Sequence, residues 1–261
     1  DPSTVEGMVN KWIIGKVVDA ERAVSGAIDA YRFNEAAHAA YQFTWGTFCD
    51  WYLELVKPVL QGDDGDAKTE TRATAAWVLD QILHLLHPMM PFITEELWEQ
   101  LGENRPAPMI IAPWPQLADQ LIDDAANAEL DWVVRLVSQI RGLRSEMNVP
   151  AKAEIPLMLK DAGELAKTCI VTHAEQINRL ARLSDIELIS GDAPKGSVQD
   201  VLDEATVILP VADVIDIAAE QARLDKEIGK QQSEIERFEK KLGNEKFVAN
   251  APEEVVETER G

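Results

Sequence analysis

His84 and His87, three residues apart and followed by Glu95 and Glu96, come closest to a metal or general acid–base set. The spacing argues against it. A zinc-protease helix carries its histidines at i and i+4 with glutamate directly after the first. Here the second histidine precedes Pro88, where the helix must break. Capping or core histidines are the simpler reading, and no metal ligand is assigned. Asp63, Asp64 and Asp66 lack the alternating ligands and distal glutamate of a calcium loop, so QGDDGDAK reads as a solvated turn. His38 and His173 are isolated. The sequence has no phosphate-cradling glycine loop, nucleophile elbow or dinucleotide fingerprint, and no catalytic residue is assigned. A helical hydrolase built on His84, His87 and glutamates stays open as a rival that stoichiometric zinc would favour.

What remains is recognition. Trp12 is flanked by Asn10, Lys11 and Lys16, one aromatic plane with hydrogen-bonding capacity and two positive charges within about two helical turns. Such a set can stack a splayed RNA base and hold its edges. Trp12 also fits the apolar period of its own helix, so a core tryptophan is the competing reading. Arg135, Arg141 and Arg144 lie on one helix and form a candidate phosphate-contacting set, or a solvated face laced to Glu146. Lys226, Lys230, Arg237, Lys240 and Lys241 flank an apolar seam in the tail, as the edges of any coiled coil do.

Charge works against a polyanion partner. The net charge is −21 over 261 residues. Residues 1–132 hold 8 basic and 22 acidic side chains, whereas residues 133–182 hold 8 basic and 5 acidic. A nucleic acid must therefore meet a local patch, because the average field repels it. No apolar run is long enough to span a membrane, and the first residues resemble no signal peptide. Cys49 and Cys169 form no CxxC and read as reduced thiols of a cytoplasmic protein. The missing initiator Met suggests a piece of a longer chain.

These candidates sit on elements that periodicity predicts. Ser3-Thr4-Val5-Glu6 has the capping-box pattern, and Val5, Met8, Val9, Trp12, Ile13 and Val17 then follow a helical period. Tyr31–Leu60 is so rich in aromatics that apolar mass lies most of the way round, which predicts a buried central helix with Asn34 as its N-cap. Residues 67–86 form a further helix, and after HPMMPF Thr94 caps a short one. PAPMIIAPWP is too proline-rich for a central strand and straps the bundle with Trp114 as anchor. Residues 125–147 are the last bundle helix. After Pro150, Ile155, Leu157 and Leu159 alternate, as do Ile186 with Leu188 and Val207 with Leu209, which predicts strands around a helical stretch from Gly163 to Leu183. From Val214 to Leu242 the apolar residues keep a heptad seam. The expected fold is mainly α: a helical bundle over 1–148, a small α/β module over 149–212 and a long C-terminal coiled-coil arm over 213–261, cut short in its second helix.

Several long stretches carry a family resemblance. YRFNEAAHAAYQFTWGTFCDWYLELVKPVL, LLHPMMPFITEELWEQL, NKWIIGKV and the tail from LDKEIGKQQ to VVETER resemble, in that order of weight, the anticodon-binding region and terminal arm of bacterial valyl-tRNA synthetases. The resemblance runs over essentially the whole chain. It implies a class I synthetase anticodon-binding bundle, a tRNA(Val) partner, and an arm leaning on the outer corner of the L-shaped tRNA. It implies that Trp12 stacks on an anticodon base, with Asn10, Lys11 and Lys16 as neighbours. The catalytic and editing domains, with ATP and Mg, belong to the rest of the parent enzyme, whose HIGH and KMSKS motifs this chain lacks. By itself the chain is expected to aminoacylate nothing and to be a monomer, with pairing of truncated arms as the alternative. The isoleucyl and leucyl relatives share the bundle, and the tail separates them. A protein–protein scaffold dimerising through its arm is a rival of another class.

Overall fold

The computed structural model describes residues 1–102, 105–203, 205–215 and 217–242. The chain folds as helices α1 (Met8–Asp29), α2 (Phe33–Tyr41), α3 (Leu53–Gln61), α4 (Asp66–Leu86), α5 (Pro91–Leu101) and α6 (Asp124–Glu146), with a π-helical stretch, Gln42–Tyr52, joining α2 to α3. A small sheet follows, made of β1 (Ile155–Lys160), β2 (Leu183–Ile189), β3 (Ser197–Leu202) and β4 (Ala205–Pro210). Helices α7 (Glu164–Thr172) and α8 (Ala174–Ala181) cross from β1 to β2, and α9 (Ile217–Leu242) ends the described chain.

The bundle is held by α1 and α6. Ile13, Val17 and Val24 of α1 and Leu130, Val133, Val137 and Ile140 of α6 are buried in one continuous core. Gly15 admits α6 closely; a Cβ there would meet Asn127 Oδ1 at 3.2 Å. Strand order is β2-β1-β4-β3, with β1 parallel to β2 and both other pairings antiparallel. β1 alternates buried and half-buried residues, as its sequence predicts, and Leu157, Leu159 and Val207 continue the same core that the bundle begins. Module and bundle thus share one interior.

Three local expectations change. The capping box at Ser3 does not form. Asp1 caps a single 3₁₀ turn, and α1 starts at Met8 after Gly7, which offers no side-chain cap. Glu70 of α4 does the work from across the chain, accepting from the Glu6 and Gly7 amides at 2.8 and 2.9 Å. Neither Asn34 nor Thr94 is an N-cap: α2 begins at Phe33 behind Arg32 and α5 at Pro91 behind Met90. Thr94 is a helical residue whose hydroxyl donates to the Met90 carbonyl.

The central stretch is not buried all round. The π geometry places more residues in each turn, and so brings Phe43, Phe48 and Tyr52, five and four residues apart, to one buried side, where Phe48 and Tyr52 stack at 5.6 Å. Tyr31 (82% exposed), Phe33, Tyr41 and Trp45 (57%) are left facing outward. The strap behaves as expected: Trp114 packs on the core and donates its indole N–H to Ser25 at 2.8 Å. The predicted return helix of the arm lies outside the described residues.

Candidate nucleic-acid interface

Trp12 lies on the inner face of α1, within the core that α1 and α6 share. The indole is 2% exposed, and its Nε1 donates to Asp131 Oδ1 at 2.8 Å. The other oxygen of Asp131 accepts from Lys16, one turn along α1, at 2.7 Å. Lys11 reaches Asp123, the N-cap of α6, at 3.3 Å. Asn10 is buried too, giving its amide to Glu70 and Thr71 and accepting from the Tyr52 hydroxyl at 2.8 Å. The structure brings all four residues together, but as the seam between α1 and its neighbours. This corrects the expectation for Trp12: a sealed ring offers no plane to a base, and both lysines are already committed to carboxylates.

The helix arginines part ways. Arg135 points to Asp203 in the β3–β4 turn, at 2.8 Å. Arg144 is 7% exposed and gives its donors to the carbonyls of Ala153, Pro150 and Arg182. Arg141 donates Nε–H to the Leu180 carbonyl at 3.1 Å and sits 5.2 Å from the Trp51 ring. Only Arg141 and Arg144 therefore share a surface, where the C-terminal end of α8 meets α6. Arg182 joins them there. The sequence reading missed it because an arginine just past the end of a short amphipathic helix carries no spacing signal of its own.

The histidine pair is occupied otherwise. His84 Nδ1 meets the Asp80 carbonyl at 2.8 Å and its ring stands edge-on to Trp98, while His87 Nδ1 meets Thr94 Oγ1 at 2.7 Å. Glu95 accepts from the Met109 and Ile110 amides, pinning the strap. Among the described residues, no group of three or more His, Cys, Asp or Glu is placed to hold a metal ion, and no helix is long and apolar enough to cross a membrane.

On α9, Lys226, Lys230, Arg237 and Lys240 are exposed, as are the seam residues Leu224, Ile228 and Ile235. Lys241 belongs to the helix, and its side chain lies outside the described residues.

Comparison with known proteins follows this division. The family described as "Anticodon-binding domain of tRNA ligase" matches residues 10–159, from α1 to β1. A second, "Valyl tRNA synthetase tRNA binding arm", matches residues 216–261. Curated relatives include a valine–tRNA ligase of Mesorhizobium japonicum, 52% identical over 97% of this chain and 27% of its own length. One of Caulobacter vibrioides is 52% identical over 100% of the chain and 29% of its own length. One of Brucella suis is 50% identical over 99% and 28%. The chain thus spans less than a third of the length of these relatives.

Proposed function

This chain belongs to the anticodon-binding domain family of tRNA ligases, and from that membership we propose that it is the tRNA(Val)-binding portion of a valine–tRNA ligase. One observation carries the reading: an anticodon-binding match over the bundle is followed, in the same chain, by a tRNA-binding-arm match that starts at α9. The arm also favours a valyl enzyme over its isoleucyl and leucyl relatives. In this reading the bundle meets the anticodon stem-loop. α9 lies against the outer corner of the tRNA, where Lys226, Lys230, Arg237, Lys240 and Lys241 contact the backbone. The sequence holds neither of the ATP-handling motifs of a class I enzyme. ATP, Mg and the joining of valine to tRNA therefore belong to the catalytic and editing parts of the parent protein. The work of this chain is to hold the tRNA so that its acceptor end reaches that remote site, as a cytoplasmic monomer.

Gel shifts of the chain with valine and non-valine tRNAs over a salt series test the reading. Binding that favours tRNA(Val) and weakens steeply with salt is expected. Equal binding to every tRNA would defeat the anticodon assignment. A second reading has its own observation, the exposed apolar seam Leu224, Ile228 and Ile235 on α9. A seam of that kind dimerises chains as readily as it closes a hairpin. A stable dimer in light scattering without RNA would favour a scaffold.

A further inference from the structure

Between α6 and the C-terminal end of α8 lies a surface cleft of about 280 Å³, lined among others by Arg141, Arg144, Ser145, Val149, Leu180 and Arg182. Its cations are not balanced. Arg144 is 7% exposed, and its acceptors are neutral carbonyls: Ala153 at 2.7 Å, Arg182 at 3.2 Å and Pro150 at 3.3 Å. Burial, and then the like charge of Arg182, press its pKa below the usual arginine value. Arg182 occupies the left-handed region (φ 54°) as the C-cap of α8, and its side chain makes no hydrogen bond or ion pair among the described residues. Arg141 uses Nε on the Leu180 carbonyl and still lines the cleft.

The available negative charge is small. A helix C-terminus offers about half a charge, and α8 presents that end to Arg141 and Arg144. The nearby Glu54 carboxylate is held by Lys57, and by Arg179 at 3.7 Å, with Arg141 a weaker influence. Among the described residues, none of the three guanidinium groups has a carboxylate within ion-pair distance, and the Glu54 carboxylate is held mainly by Lys57. A buried cation without a counter-ion is costly, and an anion in the cleft lowers that cost.

Resting on the tRNA-binding reading, we propose that the cleft seats a phosphodiester of the RNA backbone, with Arg182 and Arg141 as the outer contacts and Arg144 as a fixed positive floor. Arginine forks match phosphate oxygens bidentately, and the Ser145 hydroxyl adds a neutral donor at the rim. The cleft opens on the surface, as a site tracking a polymer backbone must. Arg135 is not part of it, being paired with Asp203.

Fluorescence anisotropy with labelled tRNA(Val) across a salt series compares the chain with Arg182→Asn and Arg182→Lys. Asparagine tolerates the left-handed region, so melting temperatures should match. One lost phosphate contact lowers the log–log salt slope by about 0.7–0.9, which at ~0.15 M salt is roughly a four- to fivefold loss of affinity. Arg182→Asn should show this loss and Arg182→Lys should recover the slope. Unchanged slope and affinity in Arg182→Asn overturns the cleft while leaving tRNA binding intact. If the unmodified chain binds no tRNA, the wider reading fails, and titration with inorganic phosphate decides the cleft alone. A phosphate-dependent rise in melting temperature that Arg182→Asn abolishes supports it. No rise, or the same rise in both proteins, overturns it.

Discussion

Replacing Trp12 separates packing from recognition. The indole is 2% exposed, within the core that α1 and α6 build together, and its N–H is bonded to Asp131. A buried tryptophan hides roughly 150–250 Å², which at about 25 cal/mol per Å² is ~4–6 kcal/mol of transfer free energy. Alanine keeps part of that buried area, and the observed range for truncating a buried aromatic puts the expected cost of Trp12→Ala at about 3–5 kcal/mol. For a protein of this size that is a fall in melting temperature of roughly 10 °C. Trp12→Phe keeps most of the apolar contact but loses the Asp131 bond, and Lys16 still satisfies that carboxylate. Its cost should be about 1–2 kcal/mol, with tRNA affinity expected within about twofold of the parent because the ring is buried in the core. Urea denaturation followed by circular dichroism, run beside the anisotropy assay, reads both quantities. If Trp12→Ala kept the parental midpoint and lost tRNA binding, the indole would serve RNA rather than the core, and this reasoning would be refuted.

Three partly or fully buried polar groups give further tests. Burial pushes the Glu70 carboxyl up, but its hydrogen bonds from Asn10, Glu6 and Gly7 outweigh that and hold it below its ordinary value of 4.5. The stability it confers is therefore present above about pH 4.5 and is lost as pH falls through the lower folded value. Glu70→Gln should cost about 1–3 kcal/mol at neutral pH and flatten the acid limb, and parallel pH profiles of the two proteins in urea would refute this. Tyr52→Phe removes the donor to Asn10 Oδ1, and chemical denaturation should show a loss of about 1–2 kcal/mol; no change would mean that a water replaces the hydroxyl. Burial, then the Glu129 charge, pushes the Cys169 thiol up to about 12, while Cys49 is half-buried and raised less. A disulfide reagent at pH ~8 should leave Cys169 unreacted until the chain is denatured, and prompt titration of both thiols in the native protein would contradict its burial.

Much of the architecture was legible locally. The period of α1, α4 and α6 and the alternation of β1 and β4 are statements about neighbouring residues, and they survive wherever one face meets a core. Short segments fared less well. β3 carries one buried residue in six, Leu202, and no alternation marks it. The helical stretch of the module divides into α7 and α8 at His173, whose ring turns inward to meet Glu129 at 3.2 Å.

The amino-acid order by itself determined where the long helices and the alternating strands β1 and β4 run, that the tail carries an apolar seam, and which long stretches tie the chain to tRNA ligases. Tertiary structure alone decided what each side chain faces. Glu70 caps α1 from more than 60 residues away, Asp131 and Asp123 absorb the charges of Lys16 and Lys11, and the widened stretch leaves Trp45 facing outward. Arg182 is brought beside Arg141 and Arg144 of α6 along one cleft, a grouping that no spacing in the sequence announces. Periodicity is written in adjacent residues, whereas burial and charge balance depend on groups that only folding brings within a few ångströms.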